Sequence, residues 1–199
     1  MLFGRRIVLA EDFIVMYHGM VAQERGVESL LRLLEINSNI KGIILGDDSC
    51  GGKYINELKS LAKKKNISNR LYFHKAVSHS ELKKYVGAVD VGLIVAPAIC
   101  KNHLYSLPNK FFENIQSETP VICPNYPAMK CIVDEYGFGL TCDPEDIDDI
   151  NKKIELIRTD KELYNRLKEN VKRAKAELCW ENEKKILRTA YKEKIMTVS

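Results

Sequence analysis

The sequence predicts an α/β fold: one doubly wound sheet of six parallel strands, with helices on both faces and a helical tail at the carboxyl end. Short apolar runs alternate with amphipathic windows, a pattern typical of strand–helix units on a parallel sheet. After Pro144 the strand-like runs stop and only helical spacing continues. The 199 residues, of which 45% are hydrophobic and 29% charged, are sufficient to bury a core without disulfides or metal ions.

Strands are predicted wherever a short apolar run ends at glycine, proline or a polar turn. The six runs are residues 13–17, 42–45, 70–73, 91–95, 120–123 and 139–142. Because helical windows alternate with these runs, we expect a single sheet rather than two.

The helices beside the first three strands are predicted by apolar residues that share one face and by a capping signal. The first helix follows Gly19 and has an apolar face that consists of Val27, Leu30, Leu31 and Leu34. The second runs from about residue 53 to 65. Ser78 is the N-cap of the third, because Glu81 follows three residues later and completes a capping box.

The next helix follows an irregular loop over residues 96–107. Pro108 suits its first position, and the helix carries Phe111, Phe112 and Ile115, which indicate packing. A helix at 128–136 precedes the last strand.

The tail is predicted to contain three helices. The apolar faces of the first two are Ile147, Ile150, Ile154 and Ile157, and Leu163, Leu167, Val171 and Ala174. The last helix runs from about residue 180 to 195. Residues 1–12 are therefore a lead-in or linker remnant, and residues 13–199 form one domain that includes the tail from about residue 145.

Composition and charge narrow the class of protein. The 31 basic and 27 acidic residues leave a net charge of +4, and the lysines are scattered, so we predict no nucleic-acid partner. The six cysteines form no C-x-x-C pair and no zinc-type spacing, which indicates reduced thiols and no metal site. Neither a signal peptide nor an apolar stretch of ~20 residues is present in the sequence. We expect a soluble, cytoplasmic protein without a transmembrane segment, with peripheral membrane association left open.

A doubly wound sheet binds its ligand beyond the carboxyl ends of its strands. The loops predicted there are residues 18–25, 46–52, 74–78 and 96–108. Gly19 permits close backbone approach and Arg25 can bring a fixed charge to a phosphate, although a plain turn with a surface arginine is the alternative. Asp47 and Asp48 are predicted to form a glycine-rich turn rather than to bind a metal.

The start of the helix after Pro108 is a candidate anion site. The free N–H groups of Asn109 and Lys110 can face an anion, and Lys110 adds a positive charge. Glu113 lies about one turn further, where its carboxylate can accept two hydrogen bonds from a vicinal diol such as a ribose. A solvent-facing glutamate is the alternative that position alone leaves open.

Four stretches of the sequence are similar to the C-terminal, nucleotide-sugar-binding domain of GT-B glycosyltransferases of the group 1, or family-four, type: residues 13–27, 42–49, 70–95 and 107–122. The resemblance extends from about residue 13 to 191. Its most specific part is Leu-Pro-Asn-Lys-Phe-Phe-Glu followed by Thr-Pro-Val-Ile, which resembles a pattern common among enzymes of bacterial surface polysaccharide synthesis. The resemblance implies a Rossmann-like domain that forms one half of a GT-B fold.

The resemblance also implies roles for individual residues. Glu113 corresponds to the glutamate that binds the ribose hydroxyls, Arg25 to a basic residue that meets the diphosphate, and Gly19 to a glycine that the diphosphate and sugar approach. The backbone of residues 75–77 corresponds to the loop that reads the base. The implied donor site comprises Gly19, Arg25, Gly46, Lys75, Ala76, Val77, Tyr105, Ser106, Leu107, Asn109, Lys110 and Glu113. No catalytic residue, metal ion or cofactor is assigned, because the nucleotide-diphosphate sugar is itself the substrate.

Three features depart from the family pattern. Met20 stands where an arginine usually contacts the diphosphate, and Tyr105 stands where the first glutamate of an E-x7-E motif addresses the donor sugar. The residues before Phe13 are too few for the acceptor-binding N-terminal domain of a GT-B enzyme. That domain is therefore excised, supplied by a partner chain, or not needed because the protein only binds.

These implications predict a glycosyltransferase donor domain. It would transfer a sugar from a nucleotide-diphosphate sugar to a glycan or lipid-linked acceptor in bacterial surface polysaccharide synthesis, and it would be inactive as an isolated half. Two alternatives stay open: a non-catalytic nucleotide-sugar-binding subunit and a nucleotide-sugar epimerase of the same overall fold. The epimerase would need a carboxylate or a histidine near the sugar, and both nearby histidines, His18 and His103, are predicted to be loop or structural residues.

Overall fold

The computed structural model describes residues 2–3, 6–7 and 12–196 of the chain. Most of the predicted lead-in, residues 1–12, lies outside the described residues. Within it, the short strands β1 (Leu2–Phe3) and β2 (Arg6–Ile7) pair antiparallel. The strand–helix alternation predicted from the sequence begins after them.

Six parallel strands form the main sheet, as the sequence predicts. They are β3 (Phe13–His18), β4 (Ile40–Leu45), β5 (Leu71–His74), β6 (Val91–Leu93), β7 (Val121–Pro124) and β8 (Gly139–Cys142). Their order across the sheet is β5-β4-β3-β6-β7-β8, so the chain builds outward from β3 and then restarts on its other side with β6. This is the doubly wound arrangement, whose ligand crevice lies where the two directions diverge.

Nine helices occur in the described part of the chain. They are α1 (Val27–Ile36), α2 (Lys53–Lys64), α3 (His79–Val86), α4 (Lys101–Tyr105), α5 (Asn109–Gln116), α6 (Pro127–Tyr136), α7 (Ile147–Thr159), α8 (Lys161–Glu177) and α9 (Trp180–Met196). The capping box predicted for Ser78 and Glu81 is present at the start of α3.

Two predictions before α5 were wrong. The loop predicted over residues 96–107 contains α4, which has only five residues and is too short to show an apolar period. Pro108 is the N-cap residue of α5 rather than its first helical residue. Its backbone is extended, with a ψ of 150°, while its carbonyl accepts the first helical hydrogen bond from the Phe111 N–H.

Helices cover both faces of the sheet, as predicted. Val15 and Tyr17 of β3 pack with α1, α2 and α7, whereas Ile14 and Met16 pack with α3 on the opposite face. This alternation is the period-two geometry of a strand. Farther along the second face, Phe111 of α5 packs with residues of α6 and α8.

The three helices of the tail differ in how deeply their apolar side chains are buried. α7 and α8 bury the apolar faces predicted for them, with Ile154 and Val171 at their centres. In α9, by contrast, Trp180 is 63% exposed and Tyr191 is 64% exposed. None of the helices in the described part of the chain is long and apolar enough to cross a membrane.

The cysteine thiols, all free, fall into two main groups. Cys123 and Cys142 lie on the adjacent strands β7 and β8 and are buried. Burial raises the pKa of both thiols, that of Cys142 to about 12. Cys50, Cys100 and Cys131 are exposed.

Candidate functional site

The site forms where the loops after β3 and β4 meet at the carboxyl edge of the sheet. The Gly19 N–H donates to the carbonyl of Leu45 at 2.9 Å. The Val21 N–H donates to the carbonyl of Asp47 at 3.0 Å. Gly46 lies so close to the first loop that a Cβ built on it would be 1.9 Å from the Gly19 oxygen, and its φ is +153°. Only glycine fits there, so the two loops form one continuous wall.

A cleft of about 380 Å³ opens beside this wall. Its lining includes five residues predicted for the donor site: Gly19, Gly46, Ala76, Val77 and Glu113. They come from the loops after β3, β4 and β5 and from α5, so distant parts of the chain meet at the point where the strand order reverses. The lining also includes His18, Met20, Asp47 and Leu82, which the sequence analysis did not assign to the donor site.

Glu113 lies on α5 with its side chain 25% exposed, and its Oε2 is 3.1 Å from Nε2 of His18, which is 2% exposed. This hydrogen bond is the main cause that lowers the pKa of the Glu113 carboxyl, and the nearby His79 and Lys110 lower it further against the effect of burial. The carboxylate is therefore ionised at neutral pH. Among the described residues, nothing bonds to its second oxygen, Oε1. A partly exposed carboxylate with one anchored oxygen can accept hydrogen bonds from a hydroxyl-bearing ligand.

Two predicted donor residues, Lys110 and Arg25, are cations that lie beside the cleft but are not part of its lining. The Nζ of Lys110 is 4.1 Å from the centroid of the Tyr17 ring, and the end of its side chain lies beside Gly19. Burial, together with the positive charge of Arg25, lowers the pKa of Lys110 to about 8. Arg25 is exposed, and no salt bridge joins either cation to a carboxylate within the described range. A bound anion would relieve the repulsion between them.

Tyr17 supports the loop after β3. Its hydroxyl donates to the carbonyl of Met20 at 2.7 Å, and its side chain is fully buried. Burial raises the pKa of this phenol, so it remains a neutral hydrogen-bond donor. Its ring also forms the surface on which the Lys110 ammonium lies, so one side chain contacts both the loop backbone and the cation.

The two adjacent aspartates hold the loops in place. Asp48 accepts hydrogen bonds from the N–H groups of Gly52 (2.5 Å) and Ile55 (2.9 Å), which lower the pKa of its carboxyl. This is the turn-forming role predicted for it. Asp47 accepts from the Ala76 N–H at 3.3 Å and so joins the loop after β4 to the loop after β5. In the described residues, no group of three His, Cys, Asp or Glu side chains could hold a metal ion.

The remaining predicted donor residues do not line this cleft. Tyr105 is 67% exposed at the end of α4, and Leu107 is also exposed, with Ser106 between them. Lys75 lines a neighbouring cleft of about 430 Å³ between the loops after β4 and β5. Asn109 lines a groove of about 560 Å³ between α3 and α5. The short helix α4 explains the position of Tyr105, because it ends there and leaves the side chain in solvent.

The two histidines near the site, His18 and His103, differ in their hydrogen-bond partners. Nδ1 of His103 is 3.0 Å from the carbonyl of Pro97, a contact within its own loop and in agreement with the structural role predicted for it. His18, for which the same role was predicted, is also buried and hydrogen-bonded, but its partner is Glu113, the main candidate binding residue. The available signal was its place at the carboxyl end of β3, the strand beside which the chain reverses direction.

Comparison with known families and structures gives consistent results. A family model described as glycosyl transferases group 1 matches residues 5–174. No curated protein sequence matches the chain. Sucrose-phosphate synthase from Thermosynechococcus elongatus is similar in structure, with a TM-score of 0.79 and 20% identity over 96% of this chain and 47% of that chain.

Two further solved structures are similar to this chain. HepE of Anabaena, solved in complex with UDP, has a TM-score of 0.73 and 16% identity over 84% of this chain and 44% of that chain. The C-terminal domain of the glycosyl transferase group 1 family protein LpcC from Francisella tularensis has a TM-score of 0.66 and 14% identity over 80% of this chain and 82% of that one. The chain thus spans less than half of the synthase and of HepE, but most of the isolated C-terminal domain.

Proposed function

Because the chain belongs to the glycosyl transferases group 1 family and has the fold of a GT-B domain, we propose that its cleft holds a nucleotide-diphosphate sugar, the donor of a sugar transfer. The observation that carries the proposal is the combination of an ionised, half-anchored Glu113 with two cations, Lys110 and Arg25, that have no carboxylate partner in the described range. A carboxylate suits ribose hydroxyls and the cations suit a diphosphate.

In this proposal each part of the donor has its own contacts. Glu113 accepts hydrogen bonds from the ribose. Arg25, Lys110 and the free N–H groups at the start of α5 bind the diphosphate, which approaches the backbone at Gly19. The base lies against residues 76–77. Positive side chains and helix N–H groups stabilise the departing diphosphate, so we propose that no metal ion or further cofactor is needed.

We further propose that the transfer itself needs a second domain that binds the acceptor. The synthase and HepE chains are about twice as long as their match to this chain, and the LpcC domain has been solved separately, which supports this view. The acceptor would be a glycan or lipid-linked sugar of bacterial surface polysaccharide synthesis, handled in the cytoplasm. The donor domain alone would then be inactive. A non-catalytic binding subunit would carry the same site.

Titration of the isolated chain with UDP, GDP and ADP tests the donor site. We expect at least one of these nucleoside diphosphates to bind and to be displaced by the corresponding nucleotide sugar, because the residues proposed to contact the ribose and the diphosphate all belong to this chain. No sugar transfer to an added acceptor is expected. Absence of binding by a chain that is folded by circular dichroism would refute the donor site, and unaided transfer would refute the inactive half.

Arg25→Ala is expected to weaken binding of UDP about tenfold, the effect of losing one charged hydrogen bond, and to weaken UMP less. Because Arg25 is exposed, the difference between the variant and the wild type should shrink as the salt concentration rises. Arg32→Ala is the matched control, since Arg32 is an exposed arginine of α1 that, unlike Arg25, is not among the charges that act on Lys110. Equal losses for UDP and UMP would show that Arg25 does not contact the distal phosphate.

A further inference from the structure

A hydrogen bond between β3 and α5 crosses the floor of the cleft. His18 is the last residue of β3 and is almost completely buried, while Glu113 reaches the cleft from α5 and is only partly buried. A buried imidazole requires a hydrogen-bond partner, and Glu113 Oε2 supplies one at 3.1 Å. The contact therefore joins a rigid central strand to the side chain proposed to bind the ribose.

The helix that carries Glu113 is held by its buried apolar face and by a bond to the tail. Phe111 and Ile115 are fully buried. Gln116 donates to the carbonyl of Leu178 at 2.9 Å. With the backbone of α5 held in this way, the remaining freedom of Glu113 lies in its own side-chain torsions. The bond to His18 restricts those torsions.

We infer that His18 is a positioning residue: it holds Oε2 of Glu113 so that Oε1 faces the hydroxyls of a bound ribose. The inference rests on the proposed function, which supplies the ribose. It adds a residue that contacts no ligand in this proposal and acts only through Glu113. Because the carboxylate is already oriented before the ligand binds, less conformational entropy is lost on binding.

Titratable or charged groups face Glu113 from every element around it. His18 approaches from β3, His79 from α3 and Lys110 from its own helix, with Arg25 next to Lys110. Asp47 and Asp48 line the same cleft, and both accept backbone hydrogen bonds. Among the groups that lower the pKa of Glu113, the hydrogen bond from His18 has the largest effect. Without it, burial would be opposed only by more distant charges, so the carboxylate would become protonated at a higher pH.

Two substitutions separate the hydrogen bond from the volume of the side chain. In His18→Gln, the side-chain amide can reach the position of Nε2 and keep a donor for Glu113. In His18→Leu, an apolar side chain fills the space without a donor. His18→Asn, whose amide is too short to reach Oε2, serves in place of the leucine variant should that variant fail to fold.

The first readout needs no ligand. The carboxyl carbon of Glu113, identified in ¹³C-glutamate spectra by its loss in Glu113→Gln, is titrated with acid in each variant. We expect Glu113 to titrate at a low pH in the wild type and in His18→Gln, and at a clearly higher pH in His18→Leu. Identical titration in the wild type and in His18→Leu would overturn the inference.

The second readout uses UDP and 2′-deoxy-UDP. We expect His18→Leu to bind UDP about tenfold more weakly than the wild type, with little change for 2′-deoxy-UDP, and His18→Gln to restore the discrimination. A leucine variant that discriminates as well as the wild type would overturn the inference. If the wild type binds GDP or ADP but not UDP, that nucleotide and its 2′-deoxy form replace the uridine pair. If it binds none of the three, the proposed function fails, and the ligand-free titration still decides whether His18 holds Glu113.

Discussion

Glu113→Ala is expected to weaken the binding of the nucleoside diphosphate that the wild type binds, for example UDP, by about 1.5–3 kcal/mol, or roughly ten- to a hundredfold in Kd, the usual effect of removing a hydrogen bond to a charged group. The truncation also leaves the buried His18 Nε2 without the carboxylate that it contacts. The loss should depend on the ribose: 2′-deoxy-UDP should bind the wild type more weakly than UDP does and should lose little more on mutation. Calorimetric titration of both nucleotides measures the difference.

Glu135→Ala is a suitable control for this experiment. Glu135 is an exposed glutamate on α6, outside the lining of the cleft, and its replacement should leave both affinities unchanged. If Glu113→Ala remains folded by circular dichroism and binds UDP as tightly as the wild type, Glu113 is not the ribose ligand and the proposed donor site is incorrect.

Gly46→Ala is expected to destabilise the fold by at least about 3 kcal/mol, because it combines backbone strain with a steric clash. The φ of +153° disfavours any side chain, and the new Cβ would lie 1.9 Å from the Gly19 oxygen and 2.9 Å from its carbonyl carbon. Neither atom can move without displacing the loop after β3. Urea denaturation measures the loss of stability, and the fraction that folds should bind UDP poorly because Gly19 has shifted.

Gly51→Ala measures the cost of backbone strain without a steric clash. Gly51 also has a positive φ, of +64°, but a Cβ there would meet nothing within 4 Å. We expect this variant to lose only about 1–2 kcal/mol, the cost of a left-handed conformation for a residue with a Cβ. Equal destabilisation by the two substitutions would mean that the contact between Gly46 and Gly19 does not constrain the loops.

The sheet could be predicted because parallel strands are buried on both faces and appear in the sequence as apolar runs. Their ends were less predictable. The run at 91–95 is buried throughout, yet β6 ends at Leu93, since burial of Ile94 and Val95 continues after the strand pairing has stopped. β4 begins at Ile40, ahead of the predicted 42, because Lys41 interrupts the apolar pattern while its backbone stays in the strand.

The site was predictable where it depends on local rules. Gly19 and the loop of residues 75–77 follow strands, and the start of α5 follows Pro108, so topology alone brings them to one edge of the sheet. The contact between His18 and Glu113 spans 95 positions and depends on two side-chain conformations, which no local pattern encodes. The exposed position of Tyr105 outside the cleft could not be predicted, since a helix as short as α4 produces no periodic signal.

The distribution of thiols makes the native chain selectively addressable by alkylating reagents. Cys123 and Cys142 are sealed in the sheet and poorly ionised, so they are protected from modification while the protein is folded. Cys50 is exposed and follows Ser49, which lines the cleft. With the other accessible thiols, Cys100, Cys131 and the partly exposed Cys179, replaced by serine, a maleimide dye at Cys50 would lie beside the cleft and report ligand binding as a change in fluorescence.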